Sequence, residues 1–424
     1  MTNPQFHPAW SIGEGHRAAR AVFEQAFGAP GPATGGQVPG PASGGQALGT
    51  GEAPMVQASA PGRVNLIGEH TDYNGGLCLP IALPHRTFVV ARARTDGMVR
   101  LASGSESGHW TAHLDDVAPG AVQGWGAYVA GVAWALREEG VPVAGFDLAV
   151  ASCVPYGAGL SSSAALECAA VMALRHVLGD RWTGPDLDTD EGRAWAAAVC
   201  VRAENEIAGA PTGGMDQAAS LRCAPGHALL LDMRSGGTDQ VPFDLAGAGL
   251  ELLVIDTRAE HALVDGQYGD RRRACETAAG LLGVSTLREV GAADLEQTLT
   301  RLPDQTLRAR VRHVVSEIAR VEEFVDLLRA GSWRRAGAVM DASHASLAAD
   351  YEVSAAELDT AVDAARAAGA LGARMTGGGF GGSAIALVPG GRVPEVARSV
   401  ADAFDRAGHR PPVFLVAEAA GPAR

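Results

Sequence analysis

The chain has 424 residues, more than one ordinary hydrophobic core organises, so two domains are expected. Its formal charge is −14, which argues against nucleic acid or an anionic membrane surface as a general partner. All 34 cationic side chains are arginine, which excludes the P-loop lysine of GxxxxGK(S/T), the strand lysine of protein kinases and any lysine Schiff base.

In chain order, "GHRAARAVFEQAFG" (15–28) reads as a helix. It is interrupted by residues 29–54, where "PGPATGGQ" nearly repeats as "PGPASGGQ", no aromatic residue occurs and Glu52 is the only charge. Such a segment cannot bury enough surface to offset its ordering entropy, so it reads as a disordered, dispensable insertion. "HRTFVVARAR" (85–94) and "FDLAVASCVP" (146–155) read as strands. "SSSAALECAAVMALRHVLG" (161–179) is a helix that a serine should cap and Gly179 should close. "RAWAAAVCVRAENEIAG" (193–209) is a second helix, running into the loop "APTGGMDQ". "HALLLDM" (227–233) and "LELLVIDTR" (250–258) are strands, with a loop-rich boundary between two halves around 235–250. A long helix lies near 307–330, followed by strand, loop and strand over 372–388, a helix over 393–408 and a last strand over 412–419. Helices and strands mix without strict βαβ alternation, which favours an α+β fold.

The six cysteines show no CxxC or other zinc spacing and read as scattered reduced thiols of a cytoplasmic protein. The N-terminus lacks a charged head followed by an apolar core, and no apolar run reaches the length of a membrane span. Oligomeric state is not legible, and a monomer is the default.

Three glycine-rich loops carry chemistry. "VPYGAGLSSSAALE" (154–167) joins a strand to a helix; Gly157 and Gly159 admit a ligand close to the backbone, and Ser161, Ser162 and Ser163 add hydroxyls where free N–H groups favour an anion. "MTGGGFGGSA" (375–384) holds five glycines in six residues, more than a hairpin requires. "GGMDQ" (213–217) sets Asp216 after two glycines, with Glu204 upstream in the preceding helix. "GRVNLIGEHTDYNGG" (62–76) crowds Arg63, Asn65, Glu69, His70, Thr71, Asp72, Tyr73 and Asn74 into one short stretch. A phosphate loop, a loop aspartate, a carboxylate able to meet a metal and a polar strip opened by arginine suit phosphoryl transfer to a small hydroxylated molecule.

These segments, in this order, resemble those of the GHMP small-molecule kinases, and "GRVNLIGEHTDYNGG" is similar to the galactokinase signature over its whole length, as is "QYGDRRRACE" around Tyr268. The resemblance runs from about Ala60 to the C-terminus and leaves out 29–54. It implies a two-domain α+β fold, with a ribosomal-protein-S5-domain-2-like unit over 1–240, a ferredoxin-like unit over 241–424 and the active site in the cleft between them. It implies that Glu69, His70, Thr71 and Asp72 line a sugar pocket with Tyr268 on its far side. Gly157, Ala158, Gly159, Leu160, Ser161, Ser162 and Ser163 would wrap the phosphates of ATP, Ser163 and Glu204 would hold Mg²⁺, Asp216 would be the catalytic acceptor and Arg63 would stabilise the transition state. The substrates implied are galactose and MgATP. One departure is Ser383, where many galactokinases carry cysteine. A sister kinase for N-acetylgalactosamine or arabinose stays open, as does a non-catalytic sugar and ATP sensor, which a damaged phosphate loop would favour; this loop is intact.

Overall fold

The computed structural model describes residues 4–28, 53–210, 212–259 and 264–424, the side chains of 264 and 265 excepted. The expected insertion thus lies, but for residues 53 and 54, outside the described residues.

One five-stranded sheet takes the order Val56–Asn65, Pro80–Ala93, Phe146–Ser152, Met98–Ser103, His109–His113. The first two pairings are antiparallel, and Met98–Ser103 runs parallel to Phe146–Ser152. Helix Ile12–Phe27 covers one face of this sheet and helix Ser162–Leu178 the other. Being covered on both faces, the interior strand "PIALPHRTFVVARA" is buried along nearly its whole length, its His85, Arg86, Thr87 and Arg92 included. Helix Ile12–Phe27 opens on a capping box. Ser11 Oγ accepts from the Glu14 N–H, and the Glu14 carboxylate accepts from the Ser11 N–H.

A second five-stranded sheet takes the order Gln5–Phe6, Val413–Ala417, Leu250–Asp256, Ser383–Pro389, Gly372–Thr376. Helix Val393–Ala407 buries Val393, Val396, Ala397, Val400, Ala401 and Phe404, an i, i+3, i+4 stripe begun by proline in the first turn and ended by Gly408 in the left-handed conformation. Each such side chain contributes roughly 1–3 kcal/mol when removed from water.

The segment 235–250, expected as loop, contains a strand. Thr238–Pro242 is a strand, paired antiparallel with His227–Asp232 in a three-stranded sheet completed by Leu77–Cys78, and Val241 is buried beneath it. The helix expected over 193–209 is α-helical only over Asp190–Arg202 and widens to a π-helical turn over Ala203–Ala208.

The termini cross between the two main sheets. Gln5 and Phe6 pair in parallel with Val413 and Phe414 of the second sheet. Arg424 exchanges backbone hydrogen bonds with Ser59 at the edge of the first (2.8 and 2.9 Å), and the Ala420 N–H donates to the Ala82 carbonyl. The largest core cluster likewise runs from Val64, Ile67 and Leu160 to Val254, Val314 and Ile385, so the two sheets share a seam. No helix among the described residues is long and apolar enough to cross a membrane. All six cysteines are buried and unpaired.

Candidate active site

A cavity of about 180 Å³ opens on the seam. Its walls come from the end of strand Val56–Asn65 (Arg63), the bend after it (Glu69, His70, Asp72), the start of helix Met215–Arg222 (Asp216), helix Val264–Leu282 (Tyr268) and the glycine-rich loop (Gly377, Gly378). A larger cavity, about 560 Å³, lies around Phe243, Leu245 and Val416 and contains none of the motif residues.

Arg63 is buried and points along the seam. Its Nε and Nη2 donate to the two oxygens of Asp216, both at 2.8 Å, and its Nη1 donates to the Gly159 carbonyl at 2.7 Å. This planar fork ties the aspartate to the phosphate loop, a geometry that lysine could not supply. Asp216 stands in the first turn of its helix, after Gly214 at φ 98°. The Ser161 hydroxyl donates to Asp216 Oδ2. Ser161 occupies the expected capping position, yet its φ is 60° and it makes no cap hydrogen bond; the serine cap is replaced by a bond to the aspartate. The helix N-terminus therefore carries no serine cap; residues 157–163 lie outside the cavity's lining but join it through the bonds of Gly159 to Arg63 and of Ser161 to Asp216, with Gly157 and Gly159 both at positive φ.

The glycine-rich loop closes on this arrangement. A Cβ on Gly377 would lie 3.0 Å from the Gly159 carbonyl oxygen, so the two loops touch backbone to backbone. Ser383 Oγ donates to the Ala158 carbonyl at 2.7 Å and clamps the phosphate loop to the second sheet, a stronger bond than a thiol at this position would make.

Behind Asp216 lies a carboxylate cluster. Glu204, from the π-helical turn, hydrogen-bonds Ser163 and accepts from Gln217 Nε2 at 2.5 Å. Burial, reinforced by the charge of Asp216, pushes its pKa up to about 7. Gln217 also donates to the buried Glu167 at 3.0 Å, whose carboxyl is pushed well above the usual range by burial. Hard oxygen donors crowded against a second carboxylate suit a divalent cation, and Mg²⁺ keeps few protein ligands. No group of three or more His, Cys, Asp or Glu among the described residues forms a metal cage by itself.

The polar strip divides its tasks. Glu69 lines the cavity, but its oxygens already accept from Asn65 Nδ2, Arg374 Nη2, the Gly377 N–H and Thr376 Oγ1. Burial raises its pKa, against the opposing Arg374 cation. Thr71 is fully buried and its hydroxyl bonds to the Gly68 and Leu77 carbonyls. It shapes the bend and does not reach the cavity wall. Asp72 does: burial, with Asp216 and Glu69 nearby, pushes its pKa up to about 6. A Cβ on Gly213 would fall 2.1 Å from Asp72 Oδ2, so the backbone of 213 approaches the carboxylate as only glycine permits. His70 holds φ 62°, and its ring lies between Tyr268 and Tyr351 at centroid distances of 5.5 and 4.7 Å.

Arg374, absent from the sequence expectations, is wholly buried and joins Glu69 to the second sheet. It donates to Glu69, to the Asn65 and Leu66 carbonyls and to Ser343, and lies 3.6 Å from Glu317. Burial would raise Glu317, but Arg320 and Arg374 outweigh it and hold the carboxyl at about 2. The only signal in sequence is one arginine inside the otherwise apolar "LGARM".

The galactokinase galactose-binding signature matches residues 48–93, and the N- and C-terminal domains of GHMP kinases match 127–223 and 324–406. The chain is 50% identical to the galactokinase of Streptomyces coelicolor over 378 residues, 88% of this chain and 95% of that one. It is 41% identical to the galactokinase of Bos taurus, over 88% of this chain and 93% of that one. The crystal structure of Lactococcus lactis galactokinase complexed with galactose superposes with a TM-score of 0.85 at 29% identity, covering 98% of this chain and 100% of that one. A mevalonate kinase structure shares the fold at 15% identity, with a TM-score of 0.56 over 86% of this chain and 98% of that one.

Proposed function

The chain belongs to the galactokinase family of the GHMP kinases, and from that premise we propose that it transfers the γ-phosphoryl group of ATP to the 1-hydroxyl of D-galactose, giving galactose 1-phosphate and ADP. The observation that carries this is the bidentate Arg63–Asp216 pair, set where the phosphate loop meets the polar strip. The sugar oxygen attacks the γ-phosphorus in line, the bond to the β-phosphate oxygen breaks and ADP leaves. Asp216 orients the hydroxyl and receives its proton; a loose transition state requires little proton removal before transfer. Arg63 compensates the charge of Asp216 and lies toward the transferring group. Asp72 and Tyr268 meet the sugar hydroxyls, each of which needs a partner when buried, and the His70 ring lines the pocket beside them.

The phosphates rest on the amides and hydroxyls of 157–163 and on the dipole of the helix they begin. Ser163 and Glu204 would hold Mg²⁺, which would neutralise developing charge on the phosphates. With no lysine in the chain, that charge falls to the cation, the loop and arginine. On this reading the enzyme is cytoplasmic and monomeric, with one unit over 1–240 and another over 241–424.

The test is an ADP-release assay with MgATP across galactose, glucose, N-acetylgalactosamine and arabinose. Galactose should be used far better than glucose, its 4-epimer, because a site that hydrogen-bonds a hydroxyl rejects a mismatch by up to roughly four orders of magnitude. Comparable kcat/KM for the two would overturn the galactose assignment.

A further inference from the structure

A line of hydrogen bonds leaves the cavity through His70 and ends at a thiol. His70 Nε2 lies 3.2 Å from the Gly378 carbonyl oxygen, and its Nδ1 lies 2.9 Å from the Tyr73 hydroxyl. Tyr73 Oη is 2.8 Å from Tyr351 Oη, which is 3.1 Å from Cys275 Sγ. Tyr351 and Cys275 are fully buried, and Cys275 also hydrogen-bonds Asn74. Tyr351 is fixed from every side. Its ring packs, tilted, against those of His70 and His313, the Arg310 guanidinium covers it, and its carbonyl accepts from Arg271 Nε at 2.8 Å.

The line has one direction. A carbonyl can only accept, so Nε2 carries the proton toward Gly378. A buried imidazole without an adjacent carboxylate partner is neutral, in keeping with a pKa pushed down to about 3 by burial. Nδ1 then has only a lone pair, so Tyr73 must donate to it. Tyr73 Oη must in turn accept from Tyr351, and Tyr351 Oη accepts from the Cys275 thiol. Reversing any link would set a lone pair against the Gly378 carbonyl or bury an imidazolium.

We propose that Tyr351, acting through Tyr73 and with Cys275 as terminal donor, is a positioning residue that fixes His70 in its Nε2–H tautomer. The consequence reaches the site because residues 69 and 70 grip the glycine-rich loop with opposite polarity. The Glu69 carboxylate accepts from the Gly377 N–H, and His70 donates to the next carbonyl, that of Gly378. The other tautomer would keep the first hold and lose the second. It would also turn His70 Nε2 from a donor into an acceptor toward any hydroxyl in the cavity. Helix Val264–Leu282 supplies both Tyr268 on the cavity wall and, two turns on, Cys275 at the far end of the line.

The kinetic arm of the test rests on the galactokinase assignment; the spectroscopic arm does not. In ¹⁵N-histidine-labelled protein, with His70 assigned by its loss in His70→Gln, the His70 ring should be the Nε2–H tautomer in wild type. It should become a mixture in Tyr351→Phe and in Tyr73→Phe. A wild-type Nδ1–H tautomer, or an unchanged Nε2–H tautomer in both variants, overturns the proposal whether or not any sugar is turned over. Kinetically, each Phe variant should lose about tenfold in kcat/KM for galactose, mostly through KM, while KM for ATP changes less than about twofold. Because both hydroxyls act through one ring, the double variant should lose no more than either single one; additive losses overturn the proposal. Should Tyr351→Phe not fold, Tyr73→Phe alone decides the outcome by the same two readouts.

Discussion

Arg63 and Asp216, 153 residues apart in the chain, meet as two parallel N–H···O bonds of 2.8 Å, and a third arginine nitrogen holds the Gly159 carbonyl. One guanidinium thus fixes the aspartate relative to the phosphate loop. Asp216→Asn keeps size but loses charge and basicity. It should lower kcat by at least about a hundredfold, roughly 2.7 kcal/mol of barrier, with ATP binding largely retained. Steady-state kinetics with equilibrium nucleotide binding checks this; retention of more than about a tenth of the rate would remove Asp216 from its role. Arg63→Lys should also fail, since a point charge cannot span both carboxylate oxygens and the loop.

Gly213→Ala is a probe of the sugar side alone. The added methyl would fall 2.1 Å from Asp72 Oδ2, and the backbone there requires no positive φ, so strain falls on the carboxylate. KM for galactose should rise by about tenfold or more with KM for ATP within about twofold. Parallel changes in both constants would show that the loop, and not Asp72, had moved.

Asp72 gives a pH signature with a definite sign. Its folded pKa, about 6, is raised above its ordinary 3.8, so the folded state binds its proton more tightly than the unfolded chain does. That stabilisation is complete below about pH 4 and is lost as pH rises through about 6. Partial exposure of the side chain trims the effect to on the order of 1–2 kcal/mol. Urea unfolding at pH 4.5 and 7.5 should show wild type losing that amount relative to Asp72→Asn as pH rises. A constant difference would place the carboxylate in water.

Glu204→Gln and Ser163→Ala should each raise the Mg²⁺ concentration needed for half-maximal rate by several-fold, since hard Mg²⁺ prefers oxygen donors and has few to lose. A magnesium titration at saturating ATP and galactose measures it. Unchanged midpoints in both variants would locate the metal elsewhere.

Arg374→Met should be the most damaging change away from the cavity. It would leave Glu69 and Glu317 buried without their shared cation, at a cost of about 3–5 kcal/mol. Chemical denaturation reads the loss directly.

Much of the site could be read from single segments because its loops announce themselves locally. Gly159 and Gly377 mark places where two backbones approach, and Asp72 and Asp216 sit in short polar runs flanked by glycine. What stayed hidden depends on partners distant in sequence. Arg374 is one charge in an apolar strand, and its partners Glu69 and Glu317 lie in other elements. Ser161 has every local mark of a helix cap, yet a partner 55 residues on takes its hydroxyl. Tyr73 belongs to the polar strip and Tyr351 to no motif, and only the fold joins their hydroxyls. Thr238–Pro242 has a loop's composition, and its strand character lies in pairing with His227–Asp232.

The crossing of the termini sets the order in which the molecule can be finished. Strand Gln5–Phe6 pairs, among the described residues, with Val413 and Phe414, and the edge of Val56–Asn65 near Ser59 bonds to Arg424. On the ribosome the first sheet therefore stands with an open edge, and a tethered N-terminal strand, until residues 413–424 emerge. Such late, long-range pairings slow folding and leave strand edges exposed to other nascent chains meanwhile. They also lock the two sheets to each other once made, and the second sheet lacks its edge strand Gln5–Phe6 when the C-terminal strands are produced alone.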